Sequence, residues 1–98
     1  MLVRPDIPPL VRQHVIEDAR GRFVARVDLA VPTARLAIEA HSREFHFGPE
    51  RETADEDRDL RLAAEGWEVL YLGWYSQRRP AAVADLVAAV CRRRLAEV

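Results

Sequence analysis

Residues 22–40 read RFVARVDLAVPTARLAIEA, and this stretch decides the fold. Arg22 to Ala30 alternates and is rich in Phe and Val, and Arg35 to Ala40 is a second short apolar run, so each predicts a β-strand. A turn at Thr33-Ala34 between them favours an antiparallel hairpin. The residues expected on the apolar faces are Phe23, Ala25, Val27 and Leu29 in the first strand and Leu36 and Ile38 in the second.

The hairpin brings two acidic residues together. A closure around Thr33-Ala34 places Asp28 directly opposite Glu39, and opposed residues of an antiparallel pair share a face with Cβ atoms about 5 Å apart. Two carboxylates at that separation repel unless a cation joins them, and hard oxygen ligands suit Mg²⁺. The pair therefore predicts a metal site, provided that the register does not slip by one residue. The alternative is a solvated charged face.

The segments on either side predict a mixed sheet. Gln13 to Asp18 is expected to be a strand that turns at Ala19-Arg20-Gly21. Thr53-Ala54-Asp55-Glu56 matches the capping box that begins a helix, and Gly66 stands where such a helix ends. Trp67 to Leu72 then predicts an apolar strand that is buried on both faces. The helix would serve as the crossover between two strands of one sheet.

A final helix is expected from Pro80, a residue suited to a first helical turn. The predicted order is therefore βββαβα, an α/β fold. Residues 1–12 are punctuated by prolines and are interpreted as a lead-in segment to one domain over residues 13–98. The apolar stripe of the final helix is expected to consist of Val83, Leu86, Val87, Val90 and Cys91.

The composition is that of a globular domain, with 49% hydrophobic and 32% charged residues. No apolar segment is long enough to span a bilayer, and the start of the sequence does not resemble a signal peptide. The single cysteine, Cys91, fits a reducing compartment, so we expect a cytoplasmic protein without a membrane partner. The net charge of -1 argues against an obvious nucleic-acid-binding face. The sequence has no lysine, which excludes any mechanism that needs an ammonium side chain.

Three histidines are present. His41 lies two residues beyond Glu39 and is expected on the same face of the strand, and His46 follows it. Either can act as a general base near neutral pH or as a ligand. The alternative is a surface or half-buried residue with a backbone partner. The spacing of His41 and His46 does not match a structural zinc site, and His14 is interpreted as structural.

From about Val11 onward the chain resembles small bacterial domains of unknown function related to very-short-patch-repair endonucleases, members of the PD-(D/E)xK superfamily. No single motif carries the resemblance, which depends on several pieces in matching order. These pieces are residues 21–23 and 26–30, Ala37-Ile38-Glu39-Ala40-His41-Ser42-Arg43-Glu44-Phe45-His46, Arg58-Asp59-Leu60 and Gly66-Trp67-Glu68-Val69-Leu70.

The resemblance implies a restriction-endonuclease-like fold in which Asp28 is the first metal-binding carboxylate and Glu39 the second. His46 falls where the repair endonucleases keep a catalytic histidine, and His41 stands where the superfamily usually has its lysine. The superfamily core begins with a helix that this sequence lacks. We therefore expect either the C-terminal part of a longer protein or a version that has lost this element.

The leading functional hypothesis is a Mg²⁺-dependent DNA endonuclease domain, with Mn²⁺ as the alternative ion. Asp28 and Glu39 would hold the ion, and His46 or His41 would take the proton of the attacking water.

Arg26 and Arg43 are candidates for holding flanking DNA phosphates, or else they are paired surface residues. The alternative function is a catalytically silent domain that keeps the fold and binds DNA or a protein. A third hypothesis is dimerisation through Trp74 and Tyr75.

Overall fold

The structure is a computed structural model that describes residues 4–40 and 49–96, without the side chains of residues 49–55, 74 and 75. The elements are β1 (Val11–Glu17), β2 (Phe23–Val31), a 3-10 turn (Pro32–Ala34), β3 (Leu36–Ala40), α1 (Pro49–Ala64), β4 (Glu68–Leu72), α2 (Trp74–Gln77) and α3 (Pro80–Ala96). The predicted order of three strands, helix, strand and helix is confirmed, with one short additional helix, α2. None of the described helices is long and apolar enough to cross a membrane.

The four strands form one mixed sheet in the order β1-β2-β3-β4. β1, β2 and β3 are successive antiparallel neighbours, whereas β3 and β4 are parallel. Parallel neighbours need a crossover connection, and α1 lies in that connection. The chain therefore has an α/β fold with a mixed sheet, as the sequence predicts.

The register of the β2–β3 hairpin is the predicted one. The paired residues are Leu29 with Ile38, Ala30 with Ala37 and Val31 with Leu36. The connection is the 3-10 turn, which ends at Arg35 in a left-handed conformation with φ of 50°. The Arg35 backbone N–H donates to the carbonyl of Pro32 at 3.1 Å, which closes the turn.

Arg94, near the end of α3, ties this turn to the sheet. Its Nε donates to the carbonyl of Ala34 at 2.6 Å, and its Nη2 donates to the carbonyl of Gly66. Its Nη1 lies 3.2 Å from a carboxylate oxygen of Glu68 in β4. One partly buried guanidinium thus joins the β2–β3 turn, the α1–β4 connection and the start of β4.

The core is divided into two clusters. One cluster contains β2 and β3 residues such as Leu36 and Ile38, together with the inner face of α3. The other contains Leu62 of α1 against residues of β1, β2 and β3. Ile7, from the segment that precedes β1, is buried in the first cluster.

The predicted apolar stripe of α3 is wrong at Leu86, which is 66% exposed. The buried residues of the helix are Val83, Ala84, Val87, Ala88 and Cys91. The buried face of α3 is thus rotated toward Ala84 and Ala88, which leaves Leu86 exposed. An apolar pattern alone does not reveal this rotation, because alanine is compatible with either face.

The β1–β2 turn is set by Asp18, whose Oδ1 accepts the backbone N–H groups of Arg20 and Arg22 at 2.9 Å. Gly21 has a φ of 77° there, a conformation that favours glycine. The expectation that Phe23 fills the apolar face is wrong, since Phe23 is 60% exposed. It starts β2 where the pairing with β1 shifts, and it has no partner in β3.

Two further expectations need correction. β4 is half-buried rather than buried on both faces, because it is the edge strand of the sheet. α1 begins at Pro49, so the segment at Thr53 already lies within the helix instead of capping it. Proline suits the first helical turn, where its missing N–H costs no hydrogen bond.

Candidate metal site

Asp28 lies on β2, one position beyond the last paired residues, Leu29 and Ile38. Continuing the same register places it opposite Glu39, which is the next residue along β3. Asp28 is exposed, and its Oδ2 accepts the backbone N–H of Ala40 at 3.0 Å. This hydrogen bond holds the Asp28 carboxylate beside the end of β3.

Glu39 is engaged by α1. Arg58 Nη2 forms an ion pair with Glu39 Oε1, and the two side chains retain only 24% and 18% of their exposure. The same nitrogen donates to the carbonyl of Arg26 at 3.3 Å. Arg58 therefore links the crossover helix to both β2 and β3, and it places a positive charge on one carboxylate of the acidic pair.

Asp59, an acidic residue of α1, extends this network to β4. Tyr71 stands opposite Glu39 in the parallel β3–β4 pairing, and its hydroxyl donates to Asp59 Oδ1 at 2.6 Å. The same Asp59 oxygen lies 3.6 Å from Arg58 Nη1. Burial and this hydrogen bond raise the pKa of Tyr71 above its usual value, which favours the protonated hydroxyl over the phenolate.

The carboxylates of Asp28 and Glu39 suit a hard divalent cation. Among the described residues, the second oxygen of each, Asp28 Oδ1 and Glu39 Oε2, makes no hydrogen bond. With Asp59 and Arg58 included, the cluster carries three negative charges and one positive charge. Within the described residues no group of three or more His, Cys, Asp or Glu forms a metal cluster.

The predicted site residues fall into two groups. Asp28, Glu39 and Arg26 are described, and the exposed Arg26 side chain lies two positions before Asp28 on the same strand. His41, Arg43 and His46 lie outside the described residues. His14 is half-buried, with its ring centroid 5.8 Å from that of Trp67, which fits the structural role expected of it.

The participation of Arg58, Asp59 and Tyr71 was not predicted. The sequence offers one signal, the presence of Arg58-Asp59 among the pieces of the resemblance, but it does not show which strand residues these side chains reach. A separate cavity of about 250 Å³ lies elsewhere, and its lining contains none of the site residues. The lining consists of Glu17, Asp18, Ala19, Arg35, Glu65 and Trp67.

Comparison with protein-family models, with curated proteins and with solved structures finds no match to this chain.

Proposed function

We propose that this domain is a Mg²⁺-dependent DNA endonuclease with a restriction-endonuclease-like fold, in which Asp28 and Glu39 hold the ion. One observation chiefly supports the proposal: the β2–β3 register, continued by one pair, places Asp28 opposite Glu39, and each carboxylate has an oxygen that no described residue engages. Mn²⁺ would satisfy the same oxygen ligands. The sequence resemblance supplies the reaction class.

The bound ion would polarise the scissile phosphate. The remaining work falls to the chain's own side chains. His46 or His41 would take the proton of the attacking water, and Arg26 and Arg43 would hold neighbouring phosphates. Arg26 suits this role because its side chain is exposed and has no ion-pair partner among the described residues.

A cleavage assay tests the proposal. The purified chain is incubated with plain, nicked, mismatched and single-stranded DNA in Mg²⁺ or Mn²⁺. We expect cleavage of at least one substrate, its loss in Asp28→Ala and its retention in Asp85→Ala, a control that removes an exposed aspartate of α3. Cleavage that survives Asp28→Ala, or no cleavage of any substrate, would contradict the proposal.

The second candidate is a catalytically silent domain that binds DNA or a protein. The ion pair between Arg58 and Glu39 favours it, because this guanidinium already supplies a counter-charge to the acidic pair. Calorimetry with Mg²⁺ separates the two functions. A silent domain gives no binding heat that Asp28→Asn or Glu39→Gln abolishes, whereas a metal-dependent nuclease does.

A further inference from the structure

Arg58 and a divalent cation would use the same carboxylate. We infer that Arg58 competes with the metal for Glu39: the guanidinium weakens metal binding while it pairs with Glu39 Oε1, and its transfer to Asp59 strengthens that binding. The inference rests on the proposed metal site and adds to it a residue that regulates occupancy. It makes Arg58 a positioning residue.

The first support is the strength with which Arg58 holds Glu39. The ion pair is mostly shielded, with side-chain exposures of 24% and 18%, and charges interact more strongly away from bulk water. The additional hydrogen bond from Arg58 Nη2 to the carbonyl of Arg26 fixes the guanidinium over β2 as well. An ion approaching Glu39 therefore meets a nearby positive charge that repels it.

The second support is an acceptor that could receive Arg58 after it leaves. Asp59 Oδ1 already lies 3.6 Å from Arg58 Nη1, just beyond hydrogen-bond distance. The Tyr71 hydroxyl, which donates to the same oxygen at 2.6 Å, holds Asp59 in place. A small rotation of the guanidinium would exchange Glu39 for Asp59. Arg58 thus has two alternative partners, the carboxylate of Glu39 and the carboxylate of Asp59.

Titration calorimetry with Mn²⁺ tests the competition without reference to activity. The variants are Arg58→Gln, which removes the charge, and Arg58→Lys, which keeps it. Arg20→Gln is the matched control at an exposed turn. We expect Arg58→Gln to bind Mn²⁺ about tenfold more tightly than the parent, because a unit charge close to a divalent ion is lost. Arg58→Lys and Arg20→Gln should stay close to the parent. Arg58→Met, which keeps the apolar stem, replaces Arg58→Gln if the latter does not fold.

The pattern of results separates this inference from the function on which it depends. If Glu39→Gln abolishes Mn²⁺ binding but Arg58→Gln leaves it unchanged or weakens it, the competition is refuted and the metal site stands. If neither the parent nor Arg58→Gln binds Mn²⁺, the metal site fails and the inference fails with it. Tighter binding in both Arg58→Gln and Arg58→Lys would also refute the competition, since the effect would not depend on charge.

Discussion

Arg94→Ala should be among the most damaging substitutions of a charged residue in this domain. Arg94 donates to the carbonyls of Ala34 and Gly66 and pairs with Glu68. Hydrogen bonds that involve a charged group contribute about 1.5–3 kcal/mol each, but Arg94 keeps 18% of its side-chain exposure. We therefore expect a loss of about 3 kcal/mol in the free energy of unfolding. For a domain of this size that corresponds to a fall of about 15 °C in Tm.

Urea unfolding followed by circular dichroism measures this loss, with Arg92→Ala as the matched control. Arg92 is exposed on the same helical turn, and its replacement should cost about 0.5 kcal/mol or less. A difference between the two variants below about 0.5 kcal/mol would refute the assignment of Arg94 as the residue that ties the β2–β3 turn to β4. A large loss in both would show that the charge of the helix end matters, and not the specific contacts.

Three further predictions concern other parts of the fold. Val87→Ala should lower the free energy of unfolding by about 2 kcal/mol and Leu86→Ala by about 0.5 kcal/mol or less, since only Val87 is buried. Equal losses in urea unfolding would contradict the orientation of α3. Gly66→Ala should lower the free energy of unfolding by about 1–2 kcal/mol, because Gly66 has a φ of 82° and an added Cβ would lie 3.1 Å from Arg35 Nη1. Gly73→Ala is the control and should cost less, because the space around Gly73 is open. Burial, and after it the hydrogen bond to Asp59, raises the pKa of Tyr71. The stability linked to this shift is fully present below pH ~10 and is lost as the pH rises through the raised value. The free energy of unfolding in urea should therefore fall less steeply above pH ~10 in Tyr71→Phe than in the parent, and an identical decline in both proteins would contradict the raised pKa.

The β2–β3 hairpin was predictable because its register depends on local features. The turn at Thr33-Ala34 and the alternation on either side specify which residues face each other, and a slip by one residue would move Ile38 out of the core. The alignment of Asp28 with Glu39 follows from the same information. The acidic pair could therefore be located from the sequence.

The ion pair of Glu39 with Arg58 was not predictable in this way. It depends on how α1 packs across the sheet, and no local pattern encodes that placement. The exposure of Leu86 has a similar origin, because the packing of α3 buries Ala84 and Ala88 and leaves Leu86 outside. Tertiary packing also determines that the Tyr71 hydroxyl reaches Asp59, and no sequence pattern indicates that these two residues meet.

The most direct test of the metal site is a crystal of the chain soaked in Mn²⁺ and measured for anomalous scattering. The account predicts one anomalous peak between Asp28 and Glu39, with an oxygen of each coordinated to the ion. Glu39→Gln crystals treated in the same way should show no peak there. An empty site in the parent protein at saturating Mn²⁺, or a peak that persists in Glu39→Gln, would contradict the assignment of these two carboxylates as a metal-binding pair.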